Sequence, residues 1–307
     1  MTAFGAGFCC AAIIASGTAA AGEALTVTEV AAGIHVHAGA QAEASPANRG
    51  AIANIGFIVG SRCVAVIDTG GSPEVGRSLR EAVRGVTPLP VCYVVNTHVH
   101  PDHILGNAAF VADRPEFVGH ANLGAAMSAR GRVYVAAAKR ALGPAAADAE
   151  LIPPTRAVTG SVILDLGDRV LELRAWPTAH TDNDLTVFDE RTGTLWVSDL
   201  LFMARIPVVD GSLRGWLQVL ADLKAVTAKL VVPGHGSVTS DWPAASTEQE
   251  RYLRTLLADT RAALRARKTL QQAVDTIGGD GRDQWLLFDA FHRRNVTAAF
   301  AELEWEE

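Results

Sequence analysis

The chain has 307 residues, 49% of them hydrophobic and 20% charged, with a formal net charge of -6. That balance is globular rather than disordered, and an acidic chain with no basic run leaves no footprint for nucleic acid or an anionic membrane. A chain of this length buries about three quarters of its unfolded surface, so a large core needs no staples.

Residues 1–48 contain no Lys or Arg. Phe4 to Ala21 is apolar and small and ends in Ala19-Ala20-Ala21, which reads as a secretory signal peptide cleaved near Ala21, though the basic n-region is missing. The stretch is short for a transmembrane anchor and lacks flanking charges. The expectation is a periplasmic or secreted protein, with residues 22–307 as one domain and no stable membrane insertion after processing.

Leu25 to Val36 alternates and reads as one or two strands around a turn; Gln41 to Gly50 is loop. Ala53–Val59 and Cys63–Ile67 read as a hairpin around Gly60-Ser61-Arg62, closed by Asp68-Thr69-Gly70-Gly71. Ser72 to Val86 carries Ser then Pro at a helix start. Val91–Val95 suits a buried strand. Phe117-Val118 is a short strand, and the alanine-rich Asn122–Ala147 a helix that could cover a site mouth. Ala157–Leu164 and Arg169–Ala175 read as strands, Thr186–Asp189 and Thr194–Val197 as a hairpin. Leu213–Val226 is a helix, Lys229–Val232 a buried strand. Ser246 to Ile277 carries one long helical period before Gly278-Gly279, and Gln284–Glu304 reads as an amphipathic helix. The order repeats in outline, which predicts an α+β fold of two similar halves layered helix, sheet, sheet, helix: an αββα sandwich. Cys63 and Cys92 each precede a polar strand end, Asp68 and Thr97, by five residues. Parallel neighbouring strands would bring them side by side as a conceivable disulfide. The expectation is two separate buried thiols, because free Cys is commonly buried.

The chemistry concentrates in NTHVHPDHILGN, Asn96 to Asn107. On an extended strand end, residues two apart point the same way, so His98 and His100 can share one metal. Asp102 and His103 follow Pro101, where the chain turns, and suit a second. Neither pair is complete. Three further candidates stand at strand ends: His180 in WPTAHTDND, Asp199 in LWVSD and His235 in VVPGHG.

The ordered set His98, His100, Asp102, His103, His180, Asp199 and His235, spread over Ala53 to Gly236, resembles the metallo-β-lactamase-fold metallohydrolases. The resemblance implies that His98, His100 and His180 hold a first metal, that Asp102, His103 and His235 hold a second, and that Asp199 bridges both. Asp68, in VIDTG, matches a supporting position behind the ligands. An Asp rather than Cys or Ser at 199 is similar to glyoxalase II. NTHVHPDHILGN, AHTDNDLTV, SDLLFMARIPVVDGSLRGW and HRRNVTAAFAELEWE look closer to the quinoprotein relay system zinc metallohydrolases and sulfur-oxidation-cluster relatives, which are exported.

The implied cofactor is two Zn2+, with iron or manganese also compatible with such ligands. Two divalent ions outweigh Asp102, Asp199 and one hydroxide by a single charge, so the site should favour a small anionic or carbonyl-containing substrate. The implied reaction is attack of a metal-held hydroxide on an ester, thioester or amide carbonyl, with Asp102 orienting the nucleophile and shuttling a proton. Two alternatives are lactam hydrolysis and an iron-dependent persulfide-dioxygenase-like oxidoreductase; a non-catalytic binding partner has no need of seven ligands.

Other residues read more plainly. His35 and His37 form a second H-x-H without obvious carboxylate partners and are expected to pack rather than ligate. His120 stands either behind the metals or as a structural histidine. His292 is expected to be solvated or capping. Asp182 and Asp184 either orient His180 or build the turn after it, and the turn is the expectation. Arg205 is either an anionic-substrate contact or a surface arginine packing its stem. The pocket walls are expected from Gln41–Gly50 and Phe202–Leu213.

Overall fold

The computed structural model describes Met1, residues 24–278 and residues 281–306; the expected signal peptide lies outside the described residues. Twelve strands among them form two sheets. The first runs β1 (Thr28–Ala31), β2 (Ile34–His37), β3 (Ile55–Val59), β4 (Val64–Ile67), β5 (Val91–Asn96), β6 (Glu116–His120), β7 (Arg156–Val158). Its pairings are antiparallel to β4 and parallel thereafter, because the helical crossovers begin after β4. The second sheet contains β8 (Ser161–Asp165), β9 (Val170–Ala175), β10 (Leu185–Asp189), β11 (Thr194–Phe202) and β12 (Leu230–His235), in the order β12-β11-β10-β9-β8.

The two-residue period of the strands divides the core into layers. In β4, Ala65 and Ile67 face the second sheet, meeting Leu171, Leu173, Val187 and Trp196. Val64 and Val66 face the other way, onto Val75, Leu79, Ala82 and Val83 of α1 (Pro73–Val86). These four stand at the spacing of one helix face. Ser72 caps α1 by accepting from the Val75 N–H at 3.2 Å, and Pro73 opens its first turn, as the sequence predicts. In β11, Trp196 turns inward while Leu195 and Val197 face α4 (Leu213–Lys224), α5 (Thr247–Arg265) and α7 (Phe288–Leu303). The result is the expected αββα sandwich. No helix among the described residues is long and apolar enough to cross a membrane.

Several expectations are corrected. Ala157–Leu164 is not one strand: it breaks at Thr159-Gly160, so β7 ends the first sheet and β8 ends the second. The long helical stretch from Ser246 divides into α5 and α6 (Leu270–Thr276), where Thr269 and Gln272 form a reciprocal capping box. Cys63 and Cys92 are joined in a disulfide, because the parallel pairing of β4 with β5 brings their Cα atoms to 5.8 Å. His292 is neither solvated nor a cap. It is buried, with Nδ1 on the Tyr252 hydroxyl at 3.0 Å, Nε2 on the Ile277 carbonyl at 3.1 Å and its ring stacked on Phe288.

Candidate metal centre

All seven candidate ligands meet at one end of the sandwich, where strand ends from both sheets converge. β5 stops at Asn96, and the chain bends at His98 and Val99 before the one-turn helix α2 (Pro101–Ile104) turns Asp102 and His103 inward. Asn96 and Asn107, the outer residues of that stretch, exchange side-chain hydrogen bonds at 3.0 and 2.7 Å, and Thr69 donates to Asn107 at 2.8 Å. This buried amide pair staples the loop that carries four of the ligands. His180 lies in the turn between β9 and β10; Asp199 sits within β11 and His235 ends β12. Ser198 adopts a positive φ of 48° where β11 slips register against β12, which re-aims the next side chain.

Two groups of ligand atoms gather, each within 4.8 Å: His98, His100, His180 and Asp199 in one, Asp102, His103 and His235 in the other. Asp199 reaches both. Its Oδ1 is 3.2 Å from His103 Nε2, and its Oδ2 is 3.6, 3.4 and 3.5 Å from the Nε2 atoms of His98, His180 and His235. Asp102 Oδ2 lies 3.4 Å from His235 Nε2.

The far nitrogen of every ring has an acceptor. His180 Nδ1–H donates to the Val208 carbonyl at 2.7 Å, His235 Nδ1–H to the Ile52 carbonyl at 2.8 Å, His103 Nδ1–H to Asp68 at 2.8 Å, and His98 Nδ1–H to the Thr97 hydroxyl at 3.1 Å. His100 is reversed: its Nε2–H donates to Asp210 at 3.1 Å. Protons held outward leave five lone pairs pointing inward. Two pairs of those nitrogens approach at 3.1 and 3.0 Å, His98 with His100 and His180 with His100. His103 Nε2 and Asp199 Oδ1 are buried without a hydrogen-bond partner. Converging lone pairs beside carboxylates are what a cation requires, so the residues fit the implied metals.

The electrostatics agree. Burial pushes His98 well below the ordinary imidazole range and His180 down to about 3, keeping both neutral. Burial would also depress His103, but Asp199, Asp68 and Asp102 outweigh it and hold it well above that range. The second group therefore attracts positive charge. Burial would raise Asp199 too; His235, His103 and His98 instead hold it well below the usual carboxylate range. Asp210 is kept ionised at about 2 by the His100 hydrogen bond and nearby Arg130, against the effect of burial.

Asp68 is fully buried at φ 56°, accepting from His103 and from the Thr97 amide and hydroxyl at 2.8 and 2.7 Å. His120 ends β6 in a local turn, its Nδ1 accepting the Asn122 N–H at 3.0 Å, and makes no hydrogen bond to a cluster residue among those described. Asp184 closes the turn after His180 by accepting from the Thr181 amide and hydroxyl, and burial pushes it up to about 8. His35 stacks on Phe57 and His37 bonds the Thr26 carbonyl, both away from the cluster. Arg205 is not a surface residue; it is 6% exposed, with Nη1 at 3.2 Å from His235 Nδ1.

A cavity of about 270 Å³ opens over Asp102, Asp199 and His235. The loop after β11 lines it through Arg205, Val208 and Val209, as expected, but Gln41–Gly50 does not. Tyr134 brings α3 (Leu123–Leu142) to the cavity, and Phe291 and Arg294 of α7 line it as well. Sequence reasoning passed over Asp210, Tyr134, Phe291 and Arg294. Only Asp210 carried a usable signal, an acidic residue in the VVDG turn beside the cluster. Asn54 was missed as well: it donates at 2.8 Å to the carbonyls of Pro233 and Gly236, clamping the turn around His235 from the other sheet.

Comparison with known proteins agrees with this geometry. Residues 48–235 match the family described as the metallo-beta-lactamase superfamily. A metallo-beta-lactamase from Pontibacter korlensis superposes with a TM-score of 0.59 at 18% identity, over 75% of this chain and 99% of that one. TMB-1, described for substrate and inhibitor binding, gives 0.58 at 17% over 75% and 97%. The inverting sec-alkylsulfatase Pisa1 from Pseudomonas sp. gives 0.69 at 14%, over 91% of this chain and half (50%) of that one. At these identities the structures attest the fold, while the family match spans more than half of the chain and ends on the last cluster histidine. The protein is a member of the metallo-beta-lactamase superfamily of hydrolytic enzymes, with a His/Asp cluster able to bind metal ions.

Proposed function

We propose that the protein is a dinuclear zinc hydrolase that cleaves the ester, thioester or amide carbonyl of a small substrate. The observation that carries this is the accounting of ring nitrogens: five histidines fixed from outside, their free lone pairs meeting around Asp199, which reaches both groups. His98, His100 and His180 would hold one ion, Asp102, His103 and His235 the other, and Asp199 both. A pair of divalent ions, when bound, supplies Lewis acidity and brings the pKa of water toward neutrality.

The remaining work falls to the chain. Asp102 is the more accessible acid of the cluster, its side chain 16% exposed against 4% for Asp199. Its Oδ2 faces the histidines. Oδ1 is left to orient the attacking water, accept its proton and return it to the leaving group. Phe202, Val208 and Val209 line the cavity and limit access of bulk water. The Cys63–Cys92 disulfide supports an oxidising compartment, hence an exported protein.

Metal analysis of protein purified without added metal, joined to a turnover screen of thioesters, lactones and β-lactams, tests the reading. Two metal ions per chain, with activity lost to a chelator and restored by zinc, are expected. The group formed by His98, His100, His180 and Asp199 could alone hold a single ion. One iron per chain, with oxygen consumption on a persulfide, would therefore replace the hydrolase by an oxidoreductase.

A further inference from the structure

Arg205 is a buried cation without an anion. It forms no ion pair among the described residues, and its Nε is buried without a hydrogen-bond partner. Its neighbour His235 Nδ1 already donates to the Ile52 carbonyl, so that nitrogen has no lone pair to offer Arg205 Nη1. A guanidinium cannot shed its proton to escape burial, and an uncompensated buried charge is costly. A second arginine, exposed rather than buried, also lacks an anion. Arg294 of α7 lines the same cavity and forms no ion pair among the described residues. Both guanidiniums lie over one ring: Arg205 at 5.2 Å and Arg294 at 5.6 Å from the centroid of Phe291. The ring offsets part of the repulsion between like charges. It supplies no hydrogen-bond acceptor.

The arrangement is fixed rather than incidental. α7 is docked on the loop that carries Arg205: Asn295 accepts the Val209 N–H at 3.0 Å and donates to the Pro207 carbonyl at 2.7 Å. The segment before α7 pairs with the loop as well, Arg205 bridging Leu286. Two arginines that line one cavity, beside a metal-binding cluster, form an oxyanion clamp.

We propose that Arg205, Phe291 and Arg294 form an anion-recognition pocket, and that the substrate carries a carboxylate or other oxyanion at a distance from its scissile group. The anion sits between the guanidiniums while the scissile group reaches Asp102 and Asp199. This rests on the proposed hydrolase reading only for what happens to the rest of the molecule; the pocket itself is a property of the fold. It is built largely beyond residue 235, outside the family-matched segment, so it selects substrates for this protein rather than for the superfamily.

Two arms test it. The first is calorimetric titration of metal-loaded and metal-free protein with glutarate and, separately, with sulfate. Glutarate is expected to bind both forms, with affinity reduced about tenfold in Arg294→Gln and partly retained in Arg294→Lys; tighter sulfate binding would assign a sulfated rather than a carboxylated ligand. Arg294 is exposed, so its variants keep the test valid if Arg205→Gln fails to fold. Binding that vanishes with the metals, or is indifferent to both arginines, overturns the pocket. The second arm compares kcat/KM for monophenyl glutarate and for its neutral isostere, in which an isopropyl group replaces the carboxylate. The ratio should fall about tenfold in Arg294→Gln, mainly through KM. If neither ester is cleaved the hydrolase reading suffers, while glutarate binding still decides the pocket.

Discussion

Gly234 stands so close to Asp199 that a Cβ built on the glycine would overlap the Asp199 carboxylate. Its missing side chain is the space through which β11 and β12 deliver Asp199 and His235 side by side. Gly234→Ala should displace the carboxylate, lower metal content and destabilise the fold by about 2 kcal/mol. Metal analysis with denaturant unfolding checks this; full metal content at unchanged stability would show that the strands can part without harm.

Asp199→Ala removes the one side chain that reaches both ligand groups. Bound metal should fall toward one ion per chain. Hydrolysis should fall by more than the ~10–100-fold that loss of an outer partner costs. His35→Ala, in the H-x-H that packs on Phe57, is the control and should change metal content little. Unchanged stoichiometry in Asp199→Ala would refute the bridging role.

Asp210→Ala should act through His100 without touching a metal. It removes the acceptor that holds Nε2–H and so fixes which nitrogen of the ring faces the cluster. Metal affinity should fall about 10–100-fold with the fold intact. A chelator competition assay reads it directly, and equal affinities would mean that packing alone orients the ring.

The parts of the site that lay open in the sequence are those where position is encoded locally. The run from His98 to His103 declares its spacing within one strand end and one turn; Asp199 and His235 each end an apolar run that reads as a buried strand, and His180 follows the alternating strand β9. Arg294 and Phe291 carry no such code, because nothing near them says that α7 will dock on the loop after β11. The same limit hid the hydrogen-bond partners of His292, which come from Tyr252 and Ile277. The break at Thr159-Gly160 was missed because β7 and β8 read as one extended run, while each pairs with a different sheet. The cysteine spacing did encode the parallel neighbours, yet the general burial of free cysteine argued the other way and lost to geometry.

Arg169 forms an ion pair within the second sheet and ties that sheet to the first through backbone carbonyls. Its Nε and Nη2 donate to Asp189 at 2.8 Å each, and it also donates to the carbonyls of Val59 and Ala32. Burial would raise the Asp189 carboxyl, but Arg169 and Thr192 hold it below the usual range. A depressed folded pKa adds stability that is fully present above the unfolded pKa and is lost as pH falls through the folded one. Asp189→Asn should cost about 3 kcal/mol near neutrality and flatten the acid limb of the stability curve. An unchanged limb in denaturant titrations across that range would contradict the assignment.

The disulfide between Cys63 and Cys92 closes a sequence separation of 29 residues. Reduction, or Cys92→Ala, should lower stability by between about 2 and 4 kcal/mol. Thermal unfolding with and without reductant checks it: the wild-type transition should move and that of Cys92→Ala should not. A wild-type melting curve indifferent to reductant would show that the thiols are not joined.

Asp210 is held from two sides, by His100 from the floor of the site and by Arg130 from α3. The helix over the cavity is thus fastened to the same carboxylate that sets a cluster histidine. A tug on either end is felt at the other. Turning the His100 ring loosens the grip on a helix of 20 residues, and lifting that helix frees the ring. In two bonds the innermost chemistry of the molecule is tied to its outer cover, so the roof of the site acts as a gauge of what lies beneath it.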